Sequence, residues 1–138
     1  SIIDSLKFKI EHLCRSYARA EGEARRELEG KIRRTHEKLC HTLEKDRANG
    51  SRSSLYNADN LVPCVFNSGC AVGKRGLTAI EVEDGDIRLV HWFDQRRSTR
   101  FFGLNGAEPR KLEDTEFYRV TLKSESLRYI DARIQLLT

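Results

Sequence analysis

The sequence has no methionine, even at its first position, and only two prolines, Pro63 and Pro109, among 138 residues. The missing initiator points to a processed chain or a fragment of a longer protein. Everything before Pro63 lacks the strongest helix breaker. No run of 18 apolar residues occurs, which excludes a membrane-spanning helix, and Ser1 opens directly into a charged amphipathic stretch rather than a basic-then-apolar leader. A dominant charge of one sign is also missing: 25 Lys+Arg face 21 Asp+Glu, a net +4, and the 38% hydrophobic content is ordinary for a folded chain. The Gly-x-Ser-x-Gly elbow, the His-Glu-x-x-His helix, the dinucleotide fingerprint and solenoid repeats are all absent. These absences point to a soluble, cytoplasmic, non-enzymatic protein with no cofactor, of one domain or a small domain with an appendage.

The charge that is present is unevenly placed. Residues 1–47 carry 12 basic and 9 acidic side chains, residues 48–76 carry three and one, and residues 77–138 carry 10 and 11. The basic excess therefore belongs to the first half.

Ile3, Leu6, Ile10, Leu13, Tyr17, Ala20 and Ala24 recur at steps of three and four, as on the apolar seam of a coiled coil. Leu28, Ile32, His36, Leu39 and Leu43 continue in a shifted phase, as after a stutter. Glu11 with Arg15, Glu21 with Arg25, Glu27 with Lys31 and Glu29 with Arg33 set an acid four residues before a base, each worth about 0.2–0.5 kcal/mol on a helix. The Glu21–Arg25 pair favours one long helix through Gly22, on the order of 65 Å at 1.5 Å per residue. The alternative is a helical hairpin turning at Gly22. A long helix needs its stripe covered, and a second copy is the simplest cover. The expectation is a homodimer through Leu6, Ile10, Leu13, Tyr17, Leu28, Ile32, Leu39 and Leu43. Asn49-Gly50 should end the helix, and residues 49–62 read as a linker.

Residues 63–138 read as a mostly antiparallel β domain, a meander or partly closed barrel of five or six strands, so the fold class is α+β. Asp84-Gly85 between two β-prone runs, Leu77–Glu83 and Ile87–Phe93, is a strong hairpin signal. A second hairpin is expected between Phe117–Lys123 and Leu127–Leu137, where Ile130, Ala132, Ile134 and Leu136 alternate with polar residues. Thr99–Phe102 and Cys64–Phe66 are further candidate strands, and Leu104–Glu116 a surface loop.

Three groups of residues could carry chemistry. His36, Cys40, Cys64 and Cys70 have the composition of a zinc site but lack its usual tight Cys-x2-Cys spacing; buried core residues or a Cys64–Cys70 disulfide are the competing readings. The loop Asn67–Gly76 carries Gly69, Gly73 and Gly76 around Lys74-Arg75, but its spacing fails the P-loop pattern and a strand follows it. Residues 91–102 mix Trp92, Phe93, Phe101 and Phe102 with Arg96, Arg97 and Arg100, a blend suited to single-stranded nucleic acid. Arg25-Arg26 and Arg33-Arg34 are interleaved with glutamates and read as a solvated helix flank. The leading expectation is an assembly or adaptor module that dimerises through its helix and presents the β domain to a protein partner. The alternatives are a nucleic-acid or phosphate-ligand binding domain using Lys74, Arg75, Arg96, Arg97 and Arg100, and a zinc or thiol sensor.

Overall fold

Seven elements form along the chain in a computed structural model that describes residues 1–50, 66–69, 71, 73–103 and 108–137. They are α1 (Ile2–Arg19), α2 (Gly22–Ala48), β1 (Leu77–Glu83), β2 (Asp86–Asp94), β3 (Arg110–Lys111), β4 (Phe117–Ser126) and α3 (Leu127–Leu137). The helices gather in one compact unit and the sheet with its turns in another.

In the helical unit, α1 starts where Ser1 Oγ accepts the Asp4 N–H at 3.2 Å, an N-cap that satisfies one orphan donor. Its buried residues, Leu6, Ile10, Leu13, Cys14 and Tyr17, fall on one stripe, and α2 answers with Ile32, Thr35 and Leu39. The two helices run antiparallel. The Arg25 guanidinium lies 4.4 Å over the Tyr17 ring near the turn, while Leu6 and Lys9 share a surface depression with Lys31, Thr35 and Lys38 further away. The continuous helix is thus replaced by a hairpin. Ala20 is extended (φ −84°, ψ 158°), Glu21 is extended, and Gly22 takes φ +61°. Energetics explain the break. Each large apolar side chain buried by folding back contributes about 1.5–3 kcal/mol, far more than the Glu21–Arg25 pair that a straight helix would keep. Ala20, Gly22 and Ala24, the weak middle of the seam, are where little is lost by turning. The helix ends as expected, with Asn49 capping α2 and Gly50 at φ +85°.

The third helix corrects the second expected hairpin: Leu127–Leu137 is α3, not a strand. Tyr129, Ile130, Ala132, Leu136 and Leu137 are buried, a helical spacing, while Ile134 is 38% exposed. α3 packs on α1 through Tyr129, whose ring lies 4.0 Å beneath the Arg15 guanidinium and whose hydroxyl accepts from Arg133 at 2.8 Å.

Among the described residues the sheet has four antiparallel strands in the order β1-β2-β4-β3, rather than five or six. Asp84 (φ +51°) and Gly85 (φ +77°) form the two-residue turn with Glu83 opposite Asp86, the geometry that Asp-Gly favours because both positions need positive φ. β4 lies on the other side of β2, with a bulge at Leu89/Val90. Val90, His91 and Phe93 of β2 and Val120 of β4 are buried. Thr99–Phe102 is a turn, closed by the Phe102 N–H to the Thr99 carbonyl at 3.2 Å. Phe101 packs on His91 and Phe93 while Phe102 packs on Phe93 and Tyr118, and neighbours in a strand cannot share one face in that way. The expected loop Leu104–Glu116 holds the short strand β3. Phe66 lies in no strand, Cys64 and Val65 fall outside the described residues, and so does the expected linker beyond Gly50.

Candidate anion-binding rim

The site grows from one register pair. A two-residue turn at Asp84-Gly85 sets Thr78 of β1 opposite His91 of β2, and the Thr78 Oγ1 to His91 Nδ1 distance is 3.1 Å. His91 Nε2 lies 3.3 Å from the Arg75 carbonyl oxygen. A carbonyl can only accept, so Nε2 carries the proton, and in the neutral ring Nδ1 accepts from the Thr78 hydroxyl. Both nitrogens of this buried imidazole are thereby engaged.

Glycines let the neighbouring loops approach. Gly76 has φ +131°, and a side chain there would strike the Trp92 carbonyl and crowd the His91 ring; only glycine allows the 73–76 turn to lie against β2. Gly69, whose N–H is held by Asn67 Oδ1 at 2.9 Å, rests against the Thr78 side chain. From the other side, the Phe101 ring sits 4.4 Å from the His91 ring. Two loops therefore meet at His91, one carrying Lys74 and Arg75 and the other carrying Arg100.

Lys74, Arg75, Arg97 and Arg100 are exposed. Arg96 is not available in the same sense. Its guanidinium binds Asp94 at 2.8–3.2 Å while its N–H donates to Asp94 Oδ1 at 2.9 Å, and these bonds hold the Asp94 carboxyl below the usual carboxylate range. Residues 73–76 and 94–101 carry five cations and one acid, Asp94, and Glu116 adds a second negative charge near Arg96. Phe102, beside them, keeps 39% of its surface exposed. Such a rim can hold an anion by charge and hydrogen bonding, with a partly exposed aromatic side chain beside it.

The other expected residues are placed differently. Leu6, Ile10, Leu13, Tyr17, Ile32 and Leu39 are buried inside the single-chain helical unit, and Leu28 and Leu43 are half-buried. Arg25 lies on Tyr17, Arg26 pairs with Glu23, and Arg33 pairs with Glu29 at 3.1 Å. His36 is half-buried and Cys40 exposed, with Nε2 and Sγ 3.5 Å apart, so Cys40 is not a core residue. Cys64 and Cys70 lie outside the described residues, and among the described residues no three His, Cys, Asp or Glu side chains converge on a metal position.

One feature escaped sequence reasoning. A groove of about 920 Å³ lies on one sheet face, lined by Glu81, Glu83, Arg88, Trp92, Arg110 and Arg119 among others. Its charges largely cancel: Arg119 grips Glu81 through Nε at 3.2 Å, and Arg88 reaches Glu83 at 3.7 Å and Asp86 at 3.2 Å. The groove depends on β4 pairing with β2, which the misassigned second hairpin hid. The Thr78–His91 pair, by contrast, was legible by counting back from the Asp84-Gly85 turn.

No helix among the described residues is long and apolar enough to cross a membrane. No protein-family model, curated protein or solved structure matches the chain.

Proposed function

We propose that this chain is a binding module for a phosphate-bearing polyanion, with single-stranded nucleic acid as the ligand class. The observation that carries the reading is the packing of two basic loops on His91, one through the Arg75 carbonyl and the other through the Phe101 ring, with Lys74, Arg75 and Arg100 exposed and, among the described residues, in no ion pair. The reading treats the protein as a non-enzymatic, cytoplasmic one with reduced thiols. Binding of a fluorescent oligothymidylate, followed by anisotropy against salt, tests it. Four exposed cations predict a log–log salt slope of about −3, at roughly 0.7 per neutralised phosphate on a single strand. Reversing Lys74, Arg75 and Arg100 to Glu should abolish binding, and Arg33→Glu on α2 should not. Binding that ignores the triple reversal, or no binding at low salt, overturns the proposal.

An assembly module is the second reading, supported by Phe8 and Ile2, which stand 75% and 69% exposed on α1. A dimer through the expected seam would have to open the hairpin, because its side chains already bury one another. Light scattering across a concentration series separates the two readings.

A further inference from the structure

We infer that His36 and Cys40 form half of a tetrahedral zinc site, completed by the same pair from a second copy of the chain. Four residues apart on α2, the two side chains share a face, and the helix fixes their spacing. Their Nε2 and Sγ atoms are 3.5 Å apart. Zinc bonds of about 2.0–2.1 Å to nitrogen and 2.3 Å to sulfur at a tetrahedral angle require a bite of about 3.5 Å, so the free pair already has the spacing of the bound one. Cys40 is exposed, leaving the ligand pair open to an incoming partner.

Two ligands from one chain leave two positions unfilled, and the charge pattern of α2 indicates a second copy. Glu29, Arg33, His36, Cys40, Glu44 and Arg47 recur at steps of four, three, four, four and three, one continuous stripe. An antiparallel two-fold axis through position 38 places each His36 beside the partner's Cys40 and each Glu29, which also pairs with Arg33 of its own helix, beside the partner's Arg47. In such an isologous contact the same pairing occurs twice, so acid meets base at both ends of the stripe. Each Cys40 thiol gives its proton to solvent on binding, and the two thiolates balance the charge of one Zn²⁺ ion.

The experiment uses the full chain, stripped with a chelator and then titrated with Co²⁺ and Zn²⁺. The expected result is sulfur-to-cobalt charge-transfer absorption with the visible bands of a tetrahedral ion, saturating at one metal per two chains. Light scattering should show the molar mass doubling with zinc and halving again with chelator. Cys40→Ala and His36→Ala, both helix-compatible and checked by circular dichroism, should each abolish the band and the dimer; the Cys64→Ser/Cys70→Ser double variant should keep both. No thiolate–cobalt band, a molar mass indifferent to zinc, saturation at one metal per chain, or loss of binding in the double variant overturns the inference.

Discussion

Replacing Gly22 with Ala separates a helical hairpin from a continuous helix by the sign of the stability change. In the hairpin Gly22 has φ +61° and a Cβ there would meet nothing within 4 Å, so the substitution acts through backbone strain alone. Placing an L-residue in the left-handed region costs about 1–2 kcal/mol. The unfolded chain loses some freedom with Ala, which returns about 0.4–1 kcal/mol to stability. The net expectation is a loss near 1 kcal/mol. In a straight helix the same change would stabilise by about 1 kcal/mol, because Ala is the best helix former and Gly among the worst. The two architectures are thus about 2 kcal/mol apart, well outside the error of a urea titration read at 222 nm. Asn tolerates the left-handed region better than other L-residues, so the hairpin predicts the order Gly22, then Gly22→Asn, then Gly22→Ala. A variant with Ala more stable than the parent would refute the hairpin, and light scattering would show whether the opened helices had exchanged between chains.

Two further outcomes follow from the titratable groups. Arg119 bonds Glu81 and holds its carboxyl below the usual value of about 4.3, so the folded state binds that proton less readily than the unfolded one; the pair's contribution is complete above that pH and fades as pH falls through the lower folded value. Glu81→Gln should flatten the acid limb of a stability–pH profile, and an unchanged limb would count against the pair. Burial pushes the Cys14 thiol up to about 11, with nearby Arg133 opposing. At pH 8 that leaves roughly 200-fold less thiolate than an ordinary thiol near 8.5. In the Cys64→Ser/Cys70→Ser background, a thiol reagent should label Cys40 in the native protein and Cys14 only on unfolding; equal labelling of both would refute the burial.

Turn chemistry is legible in the sequence, whereas features decided by distant packing are not. Asp84-Gly85 determines its hairpin from four neighbouring residues, and Asn49-Gly50 ends α2 in the same way. The break at Gly22 depends on whether residues such as Leu6 find partners some twenty to thirty residues away, which periodicity cannot report. The segment 127–137 satisfies two periods at once: Ile130, Ala132, Ile134 and Leu136 alternate, while Tyr129, Ala132 and Leu136 step by three and four. Packing of Tyr129 against Arg15 and Arg133 decides for the helix. The basic residues of the candidate site are visible in composition, but the packing of their two loops on His91, through the Arg75 carbonyl and the Phe101 ring, is not.

Because α3 returns to α1 after the entire sheet, the β unit is an insertion within the helical one. Arg15 and Tyr129, in contact through the guanidinium and the ring, are separated by more than a hundred positions in the chain. Joining two such points in an unstructured chain carries a closure entropy of about 4 kcal/mol, from the logarithmic dependence on loop length. A sheet that has already folded shortens that loop to the distance between its own ends, so the order of assembly matters. The helical hairpin, built from contacts near in sequence, can form early, whereas docking of α3 is favoured once the strands have formed. Lesions in the sheet would then appear as slow completion of the helical core, and refolding rates would register them before equilibrium stability did.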